Sequence, residues 1–367
     1  MLPYWLLFGL FAIGAFRYMH VARAAPSVPV PENAGGSPAR PGDRALALAA
    51  FIPALMIGLR YEVGTDFGAY SDMFDDITRR GLDYGFSRID PGYALVNWMA
   101  GKAGFELWLA NLACGALFMF GLVRFAKIQP QPWLALTVAV PYLIIAVGMG
   151  YSRQAVAIGF CMAGLASIAT RGSLPRFIAW VLVGALFHRS AVVLIPIVAI
   201  AYSRNRFQAV VIGLVGCALG YYVLGQGQGL EHFQRGYITQ ARESQGAGIR
   251  LAMNLPPALI FLAFARRFTA DPVQIRIWLV FSLISVVSFG LWTTLTTTTA
   301  IDRMALYIIP LQLYVLAGIP TALSSAGKSS GLLVAIVVAY SALVEFVWLN
   351  FSNNARYWLP YQLYPFS

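Results

Sequence analysis

Eight polar side chains stand at or beside the ends of apolar segments: Arg60, Asp66, Asp90, Arg153, Gln154, His188, Arg189 and Arg303. The chain around them is 59% hydrophobic and only 11% charged. A charge next to hydrocarbon is costly unless it is paired, hydrated or used, so chemistry is sought first at these positions. Arginines that face one cavity repel one another unless an anion sits between them. Pyrophosphate is a natural guest, because planar guanidinium groups bind phosphate oxygens in bidentate fashion. Tyr70, Tyr93, Tyr151 and Tyr307 lie close by in sequence and offer flat surfaces and hydroxyls to sugar rings.

Each of these residues also has a plainer reading. Asp66 stands where a helix N-cap would, just before Phe67–Ile77. Arg60, at the end of an apolar run, can snorkel to the interface. His188 can be a structural histidine at a turn, and Arg303 can pair with Asp302. Arg153 has no acid close in sequence, which favours a functional role. Glu345, between Val344 and Phe346, has no assigned role. Cys114, Cys161 and Cys217 lie in apolar stretches without paired spacing, and His20, His188 and His232 are scattered, so neither a metal site nor a cofactor is expected.

The elements that position these residues are membrane spans. A soluble chain carries roughly 25% charged residues, well above the fraction here. Apolar segments run over Leu2–Phe16, Ala45–Leu59, Leu107–Val123, Trp133–Gly148 and Gln154–Thr170, then over Phe207–Leu224, Leu251–Ala265, Ile277–Leu295, Met304–Pro320 and Gly331–Leu349. Between these sets, Phe177–Phe187 and Ala191–Tyr202 are too short for two full spans. The expected fold is an all-α polytopic membrane protein of about 10 full transmembrane helices plus a short re-entrant pair with His188 and Arg189 at its tip. A single kinked helix is the simpler alternative for that pair. The first apolar run lacks a charged start and a clear cleavage site, and reads as a retained helix.

The whole chain reads as one integral membrane domain, without an internal repeat. With the N-terminus outside and alternate spans, the entire net charge of +11 falls on the cytoplasmic face, as the positive-inside tendency expects. Residues 24–41, rich in Pro, Gly and Ala, then form a flexible cytoplasmic linker. Residues 60–92 and 225–250 form two external loops. In the first, Phe67, Tyr70, Phe74 and Ile77 recur at helical spacing, with Asp72, Asp75, Asp76, Arg79 and Arg80 between them. That pattern predicts an amphipathic helix on the membrane surface, its aromatic face toward lipid. A second helix is expected from Asp90-Pro91-Gly92-Tyr93, capped by the Asp with Pro in its first turn. The Thr293–Thr299 run is expected to bond back to helix carbonyls.

The ordered set Arg60…Gly64-Thr65-Asp66…Tyr70, Asp90-Pro91-Gly92-Tyr93, Arg153-Gln154-Ala155 and Phe187-His188-Arg189-Ser190 with Pro196 resembles the EpsG family of Wzy-type polysaccharide polymerases. Arg303-x-x-x-Tyr307 is a weaker echo. Members often have Glu where Asp90 stands here, and the linker is long. The resemblance implies glycosyl transfer at the outer leaflet of the bacterial inner membrane. The donor and acceptor are undecaprenyl-diphosphate-linked glycans, no metal or cofactor takes part, and a chain-length regulator and a flippase of the same pathway are the implied partners besides membrane lipid. Nucleic acid is not a partner: the basic excess suits an anionic lipid-linked substrate. In that scheme Arg153 and Arg303, with Arg60, meet the diphosphate, and Asp66 or His188 activates the acceptor hydroxyl. Tyr70 and Tyr93 face sugar, with Asp90, Gln154, Arg189 and Tyr307 in the remaining substrate-binding positions.

Three rival functions share parts of this pattern. A lipid-linked oligosaccharide transporter or flippase wants the same basic cavity, with gating across both leaflets and often a repeat. An O-acyltransferase wants a deep histidine, and a glycan ligase shares most features with a polymerase. The clustering of candidate residues at one face favours an enzyme.

Overall fold

The computed structural model describes residues 1–24, 42–203, 247–294, 304–324 and 330–364, with scattered positions between 205 and 218 and at 366. The linker, most of the Phe207–Leu224 segment, most of the second external loop, and Arg303, Cys217 and His232 lie outside these residues. The described chain is helical almost throughout. Its elements are α1 (Leu2–Ala24), α2 (Asp43–Ala49), α3 (Phe51–Gly58), α4 (Phe67–Arg80), α5 (Leu82–Arg88), α6 (Pro91–Lys102), α7 (Leu107–Lys127) and α8 (Pro132–Ala139). After them come α9 (Ser152–Arg171), α10 (Leu174–Ala185), α11 (Leu194–Tyr202), α12 (Ala247–Phe268), α13 (Pro272–Trp292), α14 (Pro310–Ala322) and α15 (Ser330–Phe351).

Among the described residues, six helices are long and apolar enough to cross a membrane: α1, α7, α9, α12, α13 and α15. Shorter apolar helical stretches cover Pro132–Gly148, Leu174–Ala185, Arg189–Tyr202 and Leu306–Ala322. The long helices differ in what surrounds them. In α9, 83% of the most apolar window is buried inside the protein, against 28% in α13 and α15. Helix α9 is therefore the central post, packed by α7 on one side and α10 on the other. Gly121 of α7 meets Gly159 of α9 backbone to backbone, and a Cβ on Gly121 would collide with the Gly159 carbonyl. Helix α15 instead exposes Leu332, Ile336 and Leu343 along one stripe, the pattern of a helix facing hydrocarbon.

Two segments depart from regular α-helix. Pro53 has no N–H to give to the carbonyl of Ala49, so the helix breaks at Ala50 between α2 and α3. Residues Val140–Gly148, with Pro141 near the start, continue α8 as a π-helix, fully buried along its length. Wide turns of this kind leave carbonyls poorly served and cluster at functional sites. Here the indole Nε1 of Trp358 donates to the Ile145 carbonyl at 3.0 Å.

The pair around His188 forms with both outer ends together: the Tyr202 hydroxyl donates to the Gly172 carbonyl at 2.6 Å. It is a hairpin, and each arm is too short for the roughly 30 Å of a bilayer core. The first loop holds three helices, one more than its pattern suggests, with α5 between α4 and α6. One expectation is corrected. The aromatic face of α4 does not meet lipid: Tyr70, Phe74 and Ile77 are buried in a cluster with Tyr93, Leu107, Cys114 and Phe160. Helical periodicity fixes which residues share a face, and here α6 and α7 cover that face. The Thr side chains that are described behave as expected, Thr293 bonding to Gly290 and Thr294 to Leu291.

The chain end closes the same region. After the 3₁₀ turn Ala355–Tyr357, the tail lies against the Arg60 loop: Tyr61 N–H donates to the Gln362 carbonyl, Tyr364 N–H to Leu59, and Gly64 N–H to Tyr357. Gly64 has φ +106°, and a Cβ there would come within 2.5 Å of the Met149 carbonyl, so a side chain is excluded on both counts. Trp358 is 2% exposed, meets Trp348 edge to face, and accepts a bond from the Tyr4 hydroxyl at its carbonyl. Trp358→Ala is therefore expected to cost about 3–5 kcal/mol of stability. Thermal unfolding of the purified variant checks this, and an unchanged midpoint would show that the tail does not hold the loop.

Candidate functional site

The site starts from one buried carboxylate. Asp90 precedes α6 in an extended conformation (φ −61°, ψ 133°), and its side chain makes no cap bond to the helix it precedes. Its two oxygens go elsewhere. Arg153 Nη1 donates to Oδ2 at 3.3 Å, and Arg189 Nε and Arg189 N–H both donate to Oδ1 at 3.4 Å. The Gly92 N–H meanwhile bonds to the Leu186 carbonyl at 2.7 Å, which pins the start of α6 to the hairpin tip. One aspartate thus joins the first loop, the first turn of α9 and the tip between α10 and α11. Asp90 is 5% exposed, whereas the side chains of Arg153 and Arg189 keep 26% and 37% of their surface open. The carboxylate is covered, and the two cations stay partly open.

Burial pushes the Asp90 carboxyl above the usual carboxylate range, and the two guanidinium groups pull against that. Tyr70 and Tyr93 pack beneath Arg153. Their ring centroids are 5.6 Å apart, and the Arg153 guanidinium lies 6.0 Å above the Tyr93 ring. Burial drives both phenols up, Tyr93 well above its ordinary value, so each is a neutral hydroxyl. Among the described residues, Arg153 Nε and the Tyr93 hydroxyl are buried without a hydrogen-bond partner. Buried polar atoms in that state are uncommon and mark places where another group completes the set.

A second chain of polar groups starts one residue from Arg189. His188 Nδ1 lies 2.6 Å from the Ser190 hydroxyl, which lies 2.9 Å from the Tyr307 hydroxyl. Tyr307 is 1% exposed, so this chain anchors the histidine ring in the protein interior.

The remaining expected residues fall differently. Arg60 neither faces an anion nor snorkels. It is 1% exposed, and its N–H groups go to protein oxygens: Ile57 carbonyl at 2.7 Å, Val63 carbonyl at 3.1 Å, Ser152 Oγ at 2.8 Å and Asn111 Oδ1 at 3.4 Å. A buried guanidinium must satisfy its donors, and the carbonyls freed where α3 ends are the nearest acceptors. Arg60 thereby fixes Ser152, the residue before Arg153. Asp66 makes no side-chain cap to α4, so helix capping does not explain it. It stands half-buried four residues from Tyr70. Gln154 is 4% exposed beside Arg153 on α9. Sequence reasoning missed Ser190 and Asn111 as site partners, along with the whole tail. Ser190 was within the family-like stretch, and its spacing from His188 was the available signal.

The sequence profile of the EpsG family matches residues 44–363, from the start of α2 to the tail. The chain belongs to the EpsG family. This EpsG protein thus joins a family associated with polysaccharide polymerases, and the matched span takes in every residue of the site. No curated protein and no solved structure matches the chain significantly.

The raised Asp90 carboxyl has a signed consequence. Its native value lies above the unfolded value of about 3.9, so between the two the native state holds a proton that the unfolded chain has released. Stability contributed at this position falls as pH rises through that window and is flat above it. The wild type is therefore expected to gain on Asp90→Asn as pH drops through the window, with a constant difference at neutral pH. Melting curves of both proteins against pH check this; a wild type that loses ground on acidification would mean that the arginines outweigh burial.

Proposed function

We propose that this EpsG protein is a membrane glycosyltransferase that polymerises undecaprenyl-diphosphate-linked repeat units into exported polysaccharide at the outer leaflet of the inner membrane. The observation that supports it most is the pairing at the hairpin tip: two half-open arginines held by one buried aspartate, with a histidine next in sequence. In this reading the six long helices, the shorter stretches Pro132–Gly148 and Leu306–Ala322, and the Ala45–Leu59 and Phe207–Leu224 runs make up the ten spans. The α10–α11 hairpin enters and leaves from the cytoplasmic side, with its tip reaching up to the substrate.

The reaction needs little from the protein beyond charge and a base. The acceptor sugar hydroxyl attacks the anomeric carbon of the donor, a new glycosidic bond forms, and the bond from that carbon to the diphosphate oxygen breaks. The electron pair leaves with the diphosphate. Arg153 and Arg189 meet the charge that develops there, without a metal, and Asp90 holds them in place so that little reorganisation is needed. The hydroxyl proton passes to His188 Nε2, with Ser190 and Tyr307 fixing the ring. Tyr70 and Tyr93 form the floor under the arginine, and Arg60 positions the start of α9 instead of touching phosphate. Arg303 remains a further candidate for the diphosphate.

Incubating the purified protein with the host's carrier-linked repeat unit is expected to give a ladder of longer products. Substrate left unchanged by folded protein would sink the polymerase reading. Arg153→Ala should slow the ladder by about a hundredfold or more, as lost charge stabilisation does. His188→Ala should slow it by about a hundred- to ten-thousandfold. Full activity in either variant would remove that residue from the mechanism.

A further inference from the structure

A cleft of about 450 Å³ opens between the Arg60 loop, α4, the start of α7 and the tail. That is within the roughly 300–1,000 Å³ of small-molecule sites. Its lining has two characters. Four carboxylates border it, Glu62, Asp72, Asp75 and Glu106, all exposed, and none makes a salt bridge among the described residues. Aromatic rings supply the rest: Trp108 stacks on Tyr364 at 5.9 Å and 19°, and Tyr61 meets Phe67 edge to face. Arg60 also borders the cleft, but its donors are committed to Ile57, Val63, Asn111 and Ser152.

We infer that this cleft is a saccharide subsite for neutral or amino-bearing sugars, and that it excludes anionic ones. Flat rings such as Trp108 and Tyr364 bury the apolar faces of pyranose rings, while their edges stay free for polar contact. Carboxylates accept hydrogen bonds from sugar hydroxyls and attract ammonium groups, and the charge-assisted form of that bond is the stronger. The same four negative charges repel uronates, pyruvate ketals and phosphates.

The position gives the subsite a use. Helix α4 walls both regions: Tyr70 reaches the Arg153 guanidinium, and Phe74, one turn on, lines the cleft. A carrier-linked glycan that spans the two finds its diphosphate end at a cationic site and its sugars at an anionic one. Opposite charges in neighbouring sites set the direction in which the substrate lies. Its identity as a polymerase substrate rests on the function proposed above; its binding does not.

The test measures binding of three soluble probes to the full-length protein in nanodiscs: a neutral gluco-oligosaccharide, a deacetylated chito-oligosaccharide and an oligogalacturonate. The first two are expected to bind and the third not. Trp108→Ala and, separately, Tyr364→Ala should each weaken the neutral probe by about tenfold, the scale of a lost aromatic anchor. The triple substitution Glu62→Gln, Asp72→Asn and Glu106→Gln should weaken the chito-oligosaccharide most and admit the galacturonate. Variants are compared only where the thermal midpoint matches the wild type, and the two aromatic substitutions provide independent chances of that. Galacturonate binding wild type as well as the neutral probe does, or no probe binding at all, overturns the proposal, as does undiminished neutral binding in both aromatic variants. Failure of the polymerisation ladder with these preferences intact would strike the enzyme reading alone.

Discussion

Asp90 sits where a carboxylate is expensive. At 5% exposure it has given up most of its hydration, and desolvation of an ion costs several kcal/mol unless good partners replace the water. Its partners come from α9 and from the hairpin tip, at 3.3–3.4 Å. Truncating such a group leaves two cations facing each other, so the three chain segments it joins depend on it for their mutual position. The arrangement is a poor way to gain stability and a good way to fix two guanidinium groups. Both guanidinium groups keep part of their surface open.

Around this point the fold spends irregular backbone. The tail returns to the Arg60 loop, the π-helical stretch runs up to Arg153, and the hairpin tip meets Asp90. Irregular backbone leaves polar groups to be satisfied, and two side chains take up carbonyls here. Arg60 takes the carbonyls of Ile57 and Val63, and Trp358 takes that of Ile145. Arg60 shows why charge next to an apolar helix does not by itself identify a binding residue. Its role is to satisfy freed carbonyls and to hold Ser152, and through Ser152 the helix that presents Arg153.

Much of this was legible in the residue order. Hydropathy located the long helices and the short pair, and the spacing of Phe67, Tyr70, Phe74 and Ile77 gave α4 and its apolar face. Periodicity cannot say whether lipid or protein covers a face, and there the expectation of lipid failed. Partners of Asp90 lie 63 and 99 residues away, so no local pattern could show that it pairs with Arg153 and Arg189 instead of capping α6. Nor could any local pattern show that residues 355–364 return to the Arg60 loop. That contact is made largely by backbone groups, which every residue carries alike.

The central claim is that Asp90 matters by orienting Arg153 and Arg189 for a diphosphate, not by adjusting net charge. The most direct measurement is the affinity of purified wild type and Asp90→Asn for a short-chain polyprenyl diphosphate at neutral pH. Removing the acid makes the site more positive, so charge alone would tighten binding. The orientation account predicts weaker binding by about tenfold, the scale set by losing the fixed geometry of a charge-assisted contact. Equal or tighter binding by Asp90→Asn would contradict it.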